Sequence, residues 1–236
     1  MEAGKSIRNV ITQIKYPMGK ESKEDSPEVQ LENVFKELGI DLEIQTKVVS
    51  LLQPLKEMDD IHKAHYQHSI RVGLLARKIA QFLHLDEKAL FFSGIFHDLG
   101  KQEIRAELLG KTDQWTLTDR EEVKNHVLAG YRLLKGRFDF SAEIMLLHHK
   151  FQPDAYPSKL PSPMHQYSDD TKATIAYYGR ILALADVYDA MHRKNSKFGA
   201  KGFLTDQEIE EKMLQENPDQ RELVVQLYQA EIFTTK

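Results

Sequence analysis

The 236-residue chain contains no cysteine, which removes disulfides, thiolate nucleophiles and every cysteine-ligated zinc or iron–sulfur centre from consideration. Any metal has to be held by imidazole and carboxylate. Long hydrophobic runs are missing too. No stretch approaches the roughly 18 to 20 apolar residues of a membrane span, and residues 1–20 lack the apolar core of a secretory signal. A cytoplasmic protein without membrane contact is therefore expected. Neither sign of charge dominates: 32 Lys and Arg against 36 Asp and Glu give a net charge of -4. That is no field for holding a nucleic-acid polymer, so a small anionic substrate would need local positive charge. Alternating apolar and polar runs of the strand type are absent as well, and the predicted fold class is all-α, a multi-helix bundle with room for a site in its core.

What is present is helical periodicity. Residues 1–30, polar and closed by Pro27, read as a flexible lead-in without chemistry. From Leu31 to Asp59 apolar residues recur at helical intervals, with a break near Gly39 and a new segment starting at Pro54. Val72, Leu75, Ala76, Ile79 and Leu83 form one stripe, to which His68 belongs. Asp86 is placed to cap a helix running to His97, and Thr118 with Glu121 and Thr205 with Glu208 have the spacing of capping boxes. Residues 141–149 form a short helix ending in His148-His149, followed by a proline-rich loop over 152–170. A strongly apolar helix from Ile175 to Met191 carries Asp186 and Asp189. Residues 31–200 are expected to form the main domain, with 201–236 as C-terminal helices packed on it.

His68, His97, Asp98, His126, His148, His149 and Asp186 fall where a helix would otherwise bury hydrocarbon. Buried imidazolium and carboxylate groups need partners. Any one of them alone reads better as a hydrogen-bonded core residue, and Asp186 could pair with the nearby Arg180. Together they are the mixed imidazole and carboxylate set that borderline divalent ions take in a helical core. Two metals sharing a carboxylate can activate a water and clamp a phosphoryl group. Lys101, three residues past Asp98, is suited to a substrate phosphate, although an exposed lysine at a helix end is the plain alternative. His62, His65, His84, His165 and His192 read as surface residues.

The run His97-Asp98-Leu99-Gly100-Lys101, preceded by His68 and followed by Asp186, resembles the HD-domain superfamily of metal-dependent phosphohydrolases. Ile104, Leu108, Lys111, Leu117-Thr118, Glu121, Lys124, His126, Gly130 and His148-His149 occur in the order of the HD-GYP subfamily, over about residues 60–195. The resemblance implies that His68, His97, Asp98, His126, His148, His149 and Asp186 are metal ligands, that Asp98 bridges, and that Lys101 lies near the substrate phosphate. It implies iron or manganese as cofactor and cyclic di-GMP as a substrate, cleaved by a metal-bound hydroxide. Asp98 and Lys101 are the candidate catalytic residues, and Lys101, Tyr156, Arg193 and Lys197 the candidate substrate contacts.

Three departures shape the reading. Ala64 stands where trimetal members place a glutamate, so two metals are expected. The subfamily's Gly-Tyr-Pro element is Ala155-Tyr156-Pro157, and its Arg-Pro-Tyr element is replaced by the segment from Met191 to Lys197. Alternatives to cyclic di-GMP hydrolysis are the same chemistry on mononucleotides or other small phosphate esters, and a catalytically silent nucleotide-binding or protein-interaction module. A homodimer or a regulatory protein partner is left open.

Overall fold

A computed structural model describes residues 26–193 and 202–234. Among them are eleven α-helices and two short 3-10 turns, and no strand. Helix α1 (Pro27–Glu37) begins inside the stretch read as lead-in. Pro27 opens this helix rather than closing a loop: Ser26 caps it through a hydrogen bond from Val29 N, and a proline at the first helical position has no N–H to leave unpaired. Helix α2 (Leu42–Glu57) starts at the Asp41 cap and runs through Pro54, which therefore starts nothing. Pro54 is solvent-exposed and the helix ends one turn later. The real boundary is Asp59, whose Oδ1 accepts from Ile61 N and His62 N and opens α3 (Asp60–Leu83).

Helix α3 is the central pillar. His68, Val72, Leu75, Ala76 and Ile79 are all buried on it, and His84 terminates it in the left-handed region at φ 55. It crosses α4 (Glu87–Phe96) at a glycine pair. A Cβ on Gly94 would lie 2.5 Å from the Cα of Gly73, so the two backbones touch. The Asp86 cap of α4 is present, with Ala89 N donating to its Oδ1. Phe91, Ile95 and Phe96 of α4 are fully buried, and Phe96 packs on Phe138 with ring centroids 4.8 Å apart. A helix apolar on all sides belongs in the interior.

The chain then makes a 3-10 turn (Leu99–Glu103), α5 (Ala106–Leu109), α6 (Leu117–Lys124), α7 (His126–Leu134), α8 (Asp139–Met145) and the long α9 (Asp169–Met191). The capping box of α6 is Thr116 with Asp119, two residues before the predicted Thr118 and Glu121; both pairs fit the sequence pattern, and Thr116 has the extended backbone a cap needs. Helices α10 (Asp206–Glu216) and α11 (Arg221–Gln229) follow, with the Thr205–Glu208 box at the start of α10. Arg180 of α9 does not pair with Asp186. Its guanidinium holds Asp219 through two bonds of 2.8 and 2.7 Å and Asn217 through one of 2.9 Å, and so ties α9 to the C-terminal helices. Tyr188 stacks on Phe233 at 4.0 Å to close the same seam.

Candidate metal centre

Five elements deliver the seven candidate ligands to one buried place. Helix α3 supplies His68, the end of α4 supplies His97 and Asp98, the start of α7 supplies His126, the turn after α8 supplies His148 and His149, and α9 supplies Asp186. His68, His97, Asp98, His126, His148 and Asp186 are buried and His149 is nearly so. Neighbouring rings lie close: His68 to His97 at 5.0 Å, His97 to His148 at 5.2 Å, His126 to His149 at 5.3 Å.

The two oxygens of Asp98 face different partners. Oδ2 lies 3.6 Å from His68 Nε2 and 3.4 Å from His97 Nε2, while Oδ1 lies 3.3 Å from His126 Nε2. Ligand atoms of His68, His97 and Asp98 fall within 4.8 Å of one another, and so do those of His126, His148 and His149. Asp98 thus stands between two clusters. Asp186 Oδ1 completes the first, 3.0 Å from His68 Nε2 and 3.6 Å from His97 Nε2.

Whether these residues suit a metal can be judged from the second nitrogen of each ring. Nδ1 of His97 donates to the Gly94 carbonyl and Nδ1 of His126 to the Val123 carbonyl, both at 2.7 Å, and Nδ1 of His148 bonds the Met145 carbonyl. In all three the acceptor lies three residues back, in the last turn of a helix, where carbonyls lack intrahelical partners. A carbonyl only accepts, so each Nδ1 carries a proton, and whenever the ring is neutral its Nε2 presents a lone pair inwards. Those three Nε2 atoms, and Nδ1 of His149, are buried without a hydrogen-bond partner. Four buried, unpartnered nitrogens, two of them within 3.6 Å of an Asp98 or Asp186 oxygen, are what a bound cation requires, and the residues fit.

The electrostatics agree. Burial would raise the Asp98 carboxyl, but Lys101 and His97 outweigh it and hold it well below the carboxylate range. Asp186 is likewise lowered, against its burial, by His68 and His97. Burial would lower His97, yet Asp98 and Asp186 push it up to about 10. His126 is driven down to about 3 and His148 to about 4, mainly by burial, and His149 falls well below its usual value for the same reason. The carboxylates therefore demand positive charge, while three of the imidazoles stay neutral and free to ligate.

The HD-domain family model matches residues 65–191, more than half of the chain and all of this cluster. The chain belongs to the HD-domain family. Among similar proteins, a cyclic di-GMP phosphodiesterase of Thermotoga maritima is 30% identical over 153 residues, 61% of this chain and 38% of that protein. The 3'3'-cGAMP-specific phosphodiesterase 2 of Vibrio cholerae is 29% identical over 155 residues, 62% of this chain and 27% of its own. A probable nicotinate-nucleotide adenylyltransferase/Ap4A hydrolase of Mycoplasma genitalium is 32% identical over 105 residues, 44% and 29% of the two chains. This HD-domain chain thus spans well under half the length of the curated relatives it matches.

Around the cluster of this HD domain lie groups that sequence reasoning missed. Asp189 accepts from His68 Nδ1 at 2.6 Å and is gripped by Arg71. Asp189 sits three residues past Asp186 and Arg71 three past His68, so helical spacing was the available signal. His62 and His65 are not surface residues. His62 is buried, bonded to Asp59 and to the Ile104 carbonyl, and His65 faces the site beside Asp98. Both lie on α3 ahead of His68, on the polar first turns that the Asp59 cap makes helical.

Lys101 Nζ donates to Asp98 Oδ2 at 2.6 Å, and Tyr156 stacks on His149 at 4.3 Å, half-buried at the edge of the cluster. Arg193 comes near enough for its charge to act on His65, and its Nε is buried without a hydrogen-bond partner. Lys197, the remaining predicted substrate contact, lies outside the described residues. Among the described residues no helix is long and apolar enough to cross a membrane.

Proposed function

We propose that this chain is a metal-dependent phosphohydrolase that cleaves a phosphate ester of a small nucleotide, with a cyclic dinucleotide such as cyclic di-GMP as its substrate. The division of the two Asp98 oxygens between two histidine clusters carries this reading. His68, His97, Asp186 and Asp98 would hold one ion, and His126, His148, His149 and Asp98 the other. Imidazole and carboxylate together suit iron or manganese. Such ions supply Lewis-acid stabilisation of charge on a phosphoryl group and lower the pKa of water at neutral pH.

The remaining work falls to the chain's own side chains. Lys101, already turned to Asp98, is placed to meet a phosphate oxygen as charge builds there. Arg193 offers a second cationic contact from the end of α9. Tyr156, fixed by stacking on His149 and by Lys124 5.5 Å from its ring centroid, offers an aromatic contact at the edge of the cluster, with Lys124 as a further cation beside it. The names of two similar proteins, phosphodiesterases for cyclic di-GMP and 3'3'-cGAMP, support a cyclic dinucleotide.

A second reading keeps the chemistry and assigns other nucleotide esters. The replaced segment from Met191 to Lys197 favours it, as does the name of the Mycoplasma relative. Metal analysis paired with turnover assays decides between them. The protein, loaded with manganese or ferrous iron, is offered cyclic di-GMP, 3'3'-cGAMP, linear dinucleotides, dinucleoside polyphosphates and mononucleotides. Cleavage of a cyclic dinucleotide with about two metals per chain is expected. Turnover confined to other esters would reassign the substrate, and bound metal with no turnover of any ester would contradict the enzyme reading.

A further inference from the structure

His65 lies one turn before His68 on α3, where its side chain is only 14% exposed. Its Nδ1 is 3.3 Å from Lys101 Nζ and 3.6 Å from Asp98 Oδ2. A lysine ammonium has donors only, so Nδ1 of His65 is the acceptor in this contact and its ring proton sits on Nε2. Lys101 therefore has two partners among the described residues, His65 Nδ1 and, at 2.6 Å, Asp98 Oδ2. That same Asp98 oxygen faces His68 and His97. In the ligand arrangement proposed above that oxygen would also be shared with an ion, which would weaken the hold of Asp98 on Lys101, whereas the contact with His65 Nδ1 would be unaffected.

We propose that His65 is a positioning residue that holds Lys101 by accepting one of its protons, leaving another free for the substrate's phosphate oxygen. The inference rests on the phosphohydrolase reading and deepens it. It gives a role to a histidine next to Ala64, and it does not make that histidine a substitute metal ligand. The contact is specific to the Nδ1 edge of the ring. An asparagine, whose amide oxygen reaches the position of Nδ1, should preserve it, and an alanine should not.

The test uses the full chain loaded with manganese and compares wild type with His65→Ala, His65→Asn, Lys101→Ala and the His65→Ala/Lys101→Ala double variant. Metal per chain, thermal midpoint, inhibition by inorganic phosphate, kcat and KM are read for each. His65→Ala is expected to keep its metal and midpoint while losing about tenfold to a hundredfold in kcat/KM, the size of one hydrogen bond to a charged group. Phosphate inhibition should weaken in parallel, and His65→Asn should recover most of both. In the Lys101→Ala background the His65 change should add almost nothing, because the two act as one unit. Loss of a metal in His65→Ala would make it a ligand and overturn the proposal, as would losses that multiply in the double variant. Normal kinetics in His65→Ala beside an active wild type would sink this inference alone. A wild type that hydrolyses no phosphate ester would sink the phosphohydrolase reading and this inference with it.

Discussion

Asp189 accepts the Nδ1 proton of His68 at 2.6 Å while the Arg71 guanidinium binds both of its oxygens, at 2.8 and 3.1 Å. His68 is therefore oriented by a carboxylate, whereas His97, His126 and His148 are oriented by backbone carbonyls. A carboxylate on the outer nitrogen fixes the ring and makes the inner nitrogen a stronger base. Asp189→Asn should weaken metal affinity by roughly 10- to 100-fold, the usual cost of losing such a partner, without changing the metal content at saturation. Competition against a chelator measures it, and unchanged affinity would remove Asp189 from the centre's support.

His97 gives a proton test. In the metal-free protein its value of about 10 means that it is protonated at pH 8, whereas a ligand must be neutral. Metal binding at pH 8 should release about one proton per chain from this residue. Calorimetric titration in buffers of different ionisation enthalpy reads the number directly. His97→Asn should abolish this release, and release that survives the substitution would place the proton elsewhere.

The same shifts set the pH profile of metal-free stability. His97 is raised in the fold, so its contribution is full below about 6.5 and is lost as pH rises towards about 10. His126 and His148 are lowered, so theirs is present above about 6.5 and is lost as pH falls towards about 3 for His126 and about 4 for His148. The thermal midpoint should therefore peak near neutrality and decline on both sides, and His97→Asn should flatten the alkaline limb. A midpoint that climbs steadily from pH 7 to 9 would contradict the His97 assignment.

Gly100 places the 3-10 turn after Asp98 against α7. A Cβ there would lie 1.9 Å from the carbonyl oxygen of His126 and 2.5 Å from Gly130 N, and both are backbone atoms that cannot swing away. Gly100→Ala should destabilise the protein by about 3 kcal/mol or more, at the upper end of overpacking costs, and should lower metal content by moving His126. Gly136→Ala is the control. Its φ of 78 makes alanine unfavourable, but nothing lies within 4 Å, so a cost nearer about 1 kcal/mol is expected with metal content unchanged. Equal effects of the two changes in denaturant melts would contradict the close approach.

Much of the centre was legible because its residues break a pattern. His68, His126 and Asp186 each sit on an apolar helical face, and the sequence marks such exceptions plainly. All seven candidate ligands do converge. His65 precedes the Val72–Leu83 stripe on a polar stretch, and only the Asp59 cap, which opens α3 at Asp60, puts it on the same helix one turn before His68. Pro27 opens a helix after a capping serine and Pro54 is tolerated in an exposed last turn, two placements that a proline in sequence does not distinguish from a helix end or start. The split of the Asp98 oxygens between two clusters has no local signature, because α3, α4 and α7 are brought together only by packing such as the Gly73–Gly94 crossing.

In the proposed centre Asp98 would be shared by two metal ions. Crystals of the manganese-loaded protein, with anomalous scattering collected at the manganese edge, address it directly. Two peaks roughly 3.5 to 4 Å apart are expected, one among His68, His97 and Asp186 and the other among His126, His148 and His149, with one Asp98 oxygen on each. A single peak, or two peaks of which only one touches Asp98, would contradict a shared Asp98.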